Sequence, residues 1–221
     1  MGLLAGTHDT RIKSPLLYQA ELRAREVFLY AGEYKNDLMS MMNEKRAVFV
    51  LRVGHRIGRY ERASTHLCLA ARALGANGIY YSGQKDEGIE ESMRKVVERW
   101  GGDFFVKYVK EGKGFLKKWK EETGGKVVHL TMYGEEIGGA LERIRRFPLV
   151  LAVVGGAKMP PEAFSLAEVN VSVGSQPHSE IAALAVFLDR YFEGEWERKG
   201  FVGARLRVKP NKNGKSFIDV E

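Results

Sequence analysis

The most continuous apolar run of the chain lies at residues 148–154, which read PLVLAVV. A run without polar alternation is typical of a strand whose two faces are both covered, as in the interior of a parallel sheet. The next residues, GGAKMPP at positions 155–161, contain two glycines that let a ligand approach the backbone and two prolines that stiffen the chain. We therefore predict a central strand that leads into a ligand-binding loop, with an ordinary strand-to-helix turn as the alternative.

Strand-like and helix-like segments alternate on both sides of this run. Short β-branched and aromatic runs predict strands at residues 47–53 (AVFVLRV), 78–81, 104–109, 126–130 and 169–173. Helical spacing of apolar residues predicts helices that start at Ser64 or Thr65 and end at Gly75, and others at residues 86–100, 115–122, 135–146 and 179–192. Residues 202–208 and 216–220 predict a terminal hairpin. This alternation indicates an α/β fold with a parallel sheet covered by helices on both faces.

Length and composition exclude several classes of protein. The chain has 221 residues, 44% of them hydrophobic, which suits one domain with a buried core. Its 35 Lys and Arg residues against 28 Asp and Glu residues give a formal net charge of +7, which favours an anionic partner such as nucleic acid. The single cysteine, Cys68, excludes a disulfide framework, and the scattered histidines do not predict a metal site. Neither a membrane span nor a signal peptide is indicated, so we expect a soluble, cytoplasmic protein.

Residues 1–46 differ from the regular pattern that follows. Pro15 can begin a helix that Gly32 ends, and a polar stretch with Met39, Met41 and Met42 comes after it. We expect residues 1–46 to be an N-terminal extension that is dispensable or results from an upstream start chosen in error. The main domain is predicted at residues 47–221, including the terminal hairpin.

Three loops are singled out because ligands bind at the carboxyl ends of strands in parallel sheets. They lie at residues 131–134, 155–161 and 174–180. The last loop offers a hydroxyl, an amide, an imidazole and a carboxylate where a helix begins. The alternative interpretation is a helix cap, in which Ser179 is the N-cap and Glu180 lies in the first turn without any function in binding. The glycine-rich fingerprints of dinucleotide and nucleoside triphosphate binding are absent.

A cluster of basic residues follows the first predicted strand. Arginines occur at positions 52, 56, 59 and 62, with Gly54 and Gly58 giving the chain freedom to follow a curved backbone. Arginine binds phosphate through two parallel hydrogen bonds, and an aromatic ring can stack on a base. We predict that this segment contacts RNA, with a solvated loop as the alternative. The predicted RNA-binding residues are Arg52, His55, Arg56, Arg59 and Tyr60.

Several of these segments together resemble one family, in order and from about residue 47 to residue 190. The matching motifs are LRVGHR at 51–56, RASTH at 62–66, ARALGA at 71–76, HLTMYG at 129–134, the loop at 155–160, and GSQPHSE at 174–180 with the helix after it. The chain resembles archaeal tRNA (cytidine(56)-2′-O)-methyltransferases. The resemblance implies the SPOUT class, with a C-terminal trefoil knot, a homodimer, tRNA as substrate and S-adenosylmethionine as cofactor.

The resemblance also implies which residues form the site. It assigns cofactor contacts to Leu130, Gly156, Ala157, Lys158, Met159, Pro160, Gly174, Ser175, Gln176, Pro177, His178, Ser179, Glu180 and Ile181. Arg62 matches a catalytic arginine, and His66 or the target phosphate takes the proton if Arg62 holds that phosphate; Arg72 competes with Arg62. Ser175 and Lys158 depart from the usual residues of the family. The alternatives are methylation of another RNA nucleotide or base, and an RNA-binding module without catalysis.

Overall fold

The computed structural model describes residues 46–59, 61–155, 159 and 161–220. The predicted N-terminal extension, apart from its last residue, lies outside this range. The main sheet contains β1 (Ala47–His55), β2 (Gly78–Gly83), β3 (Phe105–Tyr108), β4 (Lys126–Glu136), β5 (Leu149–Gly155) and β6 (Val169–Ser172). All its pairings are parallel, and the strand order is β3-β2-β1-β5-β4-β6. The predicted parallel sheet, with β5 in its interior, is confirmed.

Helices cover both faces of this sheet. They are α1 (Glu61–Ala73), α2 (Glu87–Trp100), α3 (Gly112–Thr123), α4 (Ile137–Ile144), α5 (Pro161–Leu166) and α6 (Glu180–Phe192). In β1, Val48 and Val50 face a core shared with α1, α2, α4 and α6, whereas Phe49 and Leu51 face the core on α3. Successive side chains of a strand point to opposite faces, so a strand buried on both sides is apolar throughout.

Helix starts agree with the sequence in some places and differ in others. Asp86 caps α2 as predicted, because its Oδ1 accepts a hydrogen bond from the Gly88 N–H at 2.9 Å. Helix α1 begins before the predicted cap at Ser64 or Thr65, since the Ser64 hydroxyl is buried and lies 2.8 Å from the His55 Nδ1. The short helix α5 was not predicted.

Strand β4 is longer than the sequence predicts. The segment predicted as a loop at residues 131–134 is part of the strand, which shifts register against β6 between Leu130 and Glu135. A Cβ at Gly134 would collide with the backbone of Asn170, so the close approach of the two strands requires glycine there. Helix α4 therefore begins two residues later than predicted, at Ile137.

The chain ends in the predicted hairpin. A 3₁₀ turn (Glu195–Arg198) precedes β7 (Leu206–Val208), which pairs antiparallel with β8 (Phe217–Asp219). Over the described ranges, no helix has both the length and the apolar character needed to span a bilayer. The trefoil knot implied by the resemblance stays a prediction.

Candidate functional site at the carboxyl edge of the sheet

Four adjacent strands end at the same edge of the sheet. They are β1, β5, β4 and β6, in that order, and because they are parallel their carboxyl ends lie side by side. The basic loop at residues 56–59 follows β1, the segment with Met159 follows β5, the register shift lies in β4, and residues 173–179 follow β6. The segments selected from the sequence therefore lie next to one another, although their positions span more than 120 residues.

Arg52 connects β1 to the helix that follows β6. Its side chain is 2% exposed, and its Nη2 donates a hydrogen bond to Glu180 Oε1 at 2.8 Å. Glu180 is the first residue of α6. The prediction that Arg52 contacts RNA is corrected, because burial leaves its guanidinium engaged inside the protein. Its contact instead fixes the start of α6 against β1.

His55 is also buried rather than available to RNA. Its Nδ1 lies 2.8 Å from the Ser64 hydroxyl and its Nε2 lies 3.2 Å from Asp86 Oδ2. These contacts join the end of β1 to α1 and to the cap of α2. The predicted RNA contact by His55 is therefore corrected to a positioning role for the loop that follows. No local sequence pattern indicates this role, because Asp86 lies 31 residues further along the chain.

The basic loop itself is exposed and held at its base. The Ile57 N–H donates to Gln84 Oε1 at 2.7 Å, and the Gln84 N–H donates to the His55 carbonyl at 3.0 Å. Arg56 and Arg59 are exposed, as predicted for residues that contact RNA. Tyr60 lies outside the described residues and keeps its predicted role.

Arg62 and His66 lie at the beginning of α1, beside this loop. Both side chains are exposed. Since they are four residues apart on one helix, they share a face of α1. This face places a cation and an imidazole next to the exposed arginines of the loop, so the predicted catalytic pair is accessible to a substrate.

Arg72, the competing arginine, has a structural role. It is 8% exposed, donates hydrogen bonds to the carbonyls of Trp100 at 3.0 Å and Gly101 at 2.6 Å, and lies over the ring of Phe201 at 4.3 Å. Trp100 ends α2, at the opposite edge of the sheet from the loops described above. Arg72 is therefore excluded from the site.

The segment after β6 presents an open backbone. Gly174 has a φ of +97°, and a Cβ there would meet no atom within 4 Å. The Ser172 hydroxyl donates to the Gly174 carbonyl at 2.9 Å and holds the turn. Four predicted cofactor-binding residues are exposed here, namely Ser175, Gln176, Pro177 and His178.

The beginning of α6 combines a structural cap with the predicted site. Ser179 Oγ accepts a hydrogen bond from the Ala182 N–H at 3.1 Å, which confirms the N-cap interpretation. Ile181 packs against the main core, and Glu180 pairs with Arg52. Ligand contact by these three residues remains a prediction, and Glu180 Oε1 is already engaged.

Leu130 and Met159 line the middle of the edge in different ways. Leu130 is buried in the core, and its contact with a cofactor stays a prediction. The sulfur of Met159 lies over Gly155, where a Cβ would collide with it. Gly156, Ala157, Lys158 and Pro160 lie outside the described residues, and their cofactor contacts stay predictions.

A buried histidine lies beside Leu130, in agreement with the interpretation of the scattered histidines as structural rather than metal-binding residues. The Nδ1 of His129 lies 3.0 Å from Asn170 Oδ1, and its ring contacts the ring of Phe164 edge to face. Burial lowers the pKa of His129. No local pattern reveals this contact, since Asn170 lies on another strand. Among the residues with described positions, no group of three His, Cys, Asp or Glu side chains could hold a metal ion.

Solved structures share this architecture. A tRNA-modifying enzyme of the TrmH/SpoU type from A. aeolicus matches with a TM-score of 0.51 and 18% identity, over 83% of this chain and 86% of that one. An RNA 2′-O ribose methyltransferase matches with a TM-score of 0.53 and 18% identity, over 69% of this chain and 58% of that one. At this identity the likeness concerns the fold alone, and the fold is that of the SPOUT methyltransferases.

Sequence comparison is more specific. Residues 100–218 match the family model described as tRNA ribose 2′-O-methyltransferase, aTrm56, and the chain belongs to this family. A relative from Methanopyrus kandleri is 51% identical over 172 residues, which cover 78% of this chain and 96% of the relative. A relative from Thermofilum pendens is 49% identical over 179 residues, which cover 80% of this chain and 98% of the relative. Both are described as tRNA (cytidine(56)-2′-O)-methyltransferase.

Proposed function

We propose that this protein transfers a methyl group from S-adenosylmethionine to the ribose 2′-oxygen of cytidine 56 in tRNA. The observation that carries the proposal is that about half of the aligned residues are identical over nearly the whole length of relatives that bear this name. The arrangement of the carboxyl edge supports it, because the basic loop and the exposed turn at Gly174 lie at the same edge of the sheet.

The residues at the ends of β5, β4 and β6 fit this cofactor. Gly174 leaves open space above its backbone, and exposed Ser175 and Gln176 offer polar groups beside it. Small residues let a flat adenosine approach backbone donors and acceptors closely. When bound there, S-adenosylmethionine supplies an activated methyl group. Met159 follows β5 at the same edge of the sheet.

Arg62 and His66 orient and deprotonate the ribose in this proposal. The 2′-hydroxyl is a weak acid, so a group must accept its proton as the oxygen forms its bond to carbon. Arginine stays protonated and holds the target phosphate, which leaves His66 or that phosphate as the acceptor. Holding the ribose oxygen and the methyl group in the right geometry supplies much of the acceleration, about 7 kcal/mol or more in the best cases.

Exposed cations beside the catalytic pair bind the RNA backbone. Arg56 and Arg59 carry this role, and Tyr60 stacks on a base. His55 keeps the loop in place through Ser64 and Asp86 rather than by touching RNA. We also propose that the protein acts in the cytoplasm, without a metal ion.

A homodimer is the proposed assembly. Leu69 on α1 and Val186 on α6 are apolar side chains that are 39% and 37% exposed, on two helices that contact each other. Apolar surface of this kind favours contact with a second copy. Sedimentation equilibrium should give twice the mass of the chain, and Leu69→Lys combined with Val186→Lys should lower it to that of one chain.

The decisive test uses two unmodified tRNAs that differ only at cytidine 56, which carries ribose in one and 2′-deoxyribose in the other. Label from S-adenosylmethionine should enter only the tRNA with ribose. Equal labelling of both would move the target to another nucleotide. Tight tRNA binding without label in either would favour a binding module.

A further inference from the structure

The terminal hairpin carries a strong positive charge that the proposed site does not use. Its cationic side chains are Arg205, Arg207, Lys209, Lys212 and Lys215. No Asp or Glu interrupts residues 205–215, and all five cationic side chains are exposed. Among the described residues of the hairpin, the one carboxylate is that of Asp219, opposite Leu206. None of the five forms an ion pair with a carboxylate in the part of the chain that is described. This contrasts with the lysines of α2 and α3, which alternate with glutamates.

The hairpin is a defined ribbon rather than a loose tail. Arg207 faces Ile218 across the strands, and Val208 faces Phe217. The Lys209 N–H donates to the Ser216 carbonyl at 2.8 Å and extends the ladder towards the turn. At the turn, the Asn213 N–H donates to Asn211 Oδ1 at 2.9 Å. The lysines at positions 209, 212 and 215 therefore surround a structured tip.

Backbone hydrogen bonds attach this ribbon to the end of α2. The Arg205 N–H donates to the Arg99 carbonyl at 3.1 Å, and the Gly102 N–H donates to the Val202 carbonyl at 2.8 Å. Gly101 has a φ of +74°, and a Cβ there would collide with the backbone of residues 202 and 204. The glycine thus permits the close contact that fixes the position of the hairpin.

The attachment point lies at the opposite edge of the sheet from the proposed site. Helix α2 starts beside Asp86, which contacts His55 at the carboxyl edge, and ends at Trp100. Its 14 residues span about 21 Å at 1.5 Å per residue. The hairpin and the basic loop are therefore separate cationic surfaces on one chain.

We propose that the hairpin binds the phosphate backbone of tRNA at a point away from the methylated nucleotide. This inference rests on the proposed function. Lysine and arginine side chains that contact phosphates fix the position of a nucleic acid without reading its sequence. The distance between the two surfaces implies that they contact different parts of one tRNA. The hairpin then orients the whole molecule while the carboxyl edge acts on the T-loop.

The test compares two double variants with the same loss of charge. Lys212→Gln with Lys215→Gln removes cations from the hairpin, and Lys95→Gln with Lys117→Gln removes them from α2 and α3. Binding of full-length tRNA should weaken roughly fivefold per lost phosphate contact near 0.15 M salt in the hairpin variant, and the slope of log affinity against log salt should fall by about 1 per lysine. The control variant should keep both values.

A second substrate tests whether the hairpin contacts tRNA outside the T-arm. An isolated stem-loop with the T-arm sequence lacks the parts of tRNA that the hairpin is proposed to contact, so its KM should be the same for the hairpin variant and the parent protein, with equal kcat and equal affinity for S-adenosylmethionine. Unchanged tRNA binding and salt slope in the hairpin variant would overturn the proposal. If the hairpin variant also has a raised KM for the stem-loop, the proposal of a contact away from the T-arm is overturned. If the hairpin variant no longer forms a dimer, the hairpin belongs to a protein interface instead. Failure of methyl transfer by the parent protein counts against the proposed function alone, because tRNA binding is measured separately.

Discussion

Arg52 Nη2 lies 2.8 Å from Glu180 Oε1, although 128 residues separate the two along the chain. The pair links the end of β1 to the first residue of α6. The basic segment after β1 and the turn before α6 are therefore coupled by one contact. A change at either residue should affect both the stability of the protein and the position of the turn before α6.

Replacement of Glu180 by Gln should destabilise the protein by about 1–3 kcal/mol, because the buried guanidinium of Arg52 loses its charged partner. Denaturant unfolding measures this loss. Arg52→Gln and the double variant complete a mutant cycle, in which the two effects should be less than additive. Strict additivity would show that the two side chains do not interact in solution.

Arg62→Ala should lower kcat for methyl transfer while the affinity for S-adenosylmethionine stays unchanged, since Arg62 holds the target phosphate in the proposed mechanism. His66→Gln should lower kcat by roughly 10²–10⁴-fold if His66 accepts the proton. Rate measurements from pH 5 to pH 9 separate the two roles. Under this assignment the pH dependence changes shape only in the His66 variant. An unaltered profile there would assign the proton to the target phosphate.

Gly155→Ala should weaken binding of S-adenosylmethionine and lower the stability of the protein by about 1–3 kcal/mol, because the new Cβ displaces the Met159 side chain. Calorimetric titration and thermal unfolding measure the two effects. Gly138→Ala is the matched control, since a Cβ there meets nothing within 4 Å and a helix favours alanine over glycine. Equal affinity of both variants for S-adenosylmethionine would show that Met159 does not contribute to cofactor binding.

His129 should make stability depend on pH. Burial lowers its pKa in the folded protein, so below its unfolded pKa of about 6.5 the unfolded chain binds more protons than the folded one. The contribution of His129 to the stability is therefore full above that pH and decreases as the pH falls towards its folded pKa. Thermal unfolding between pH 8 and pH 5 should show a smaller decrease of Tm for His129→Gln than for the parent protein. Parallel curves would contradict this assignment.

Much of the fold was predictable because it depends on local pattern. The continuous apolar residues of β5 and β1 indicated interior strands, and Asp86 marked the beginning of α2. The rule that ligands bind at the carboxyl ends of parallel strands then selected the segments around residues 131, 155 and 174, which lie side by side in the structure.

The side-chain roles were less predictable because they depend on residues far apart in the chain. The sequence by itself determined the parallel sheet and the edge at which the site is proposed, since hydrophobic periodicity acts over a few residues. Only the tertiary structure decided that Arg52 and His55 are buried, because their partners Glu180 and Asp86 come from other elements. It also decided that residues 131–134 continue a strand, since Gly134 lets β4 approach Asn170 of β6.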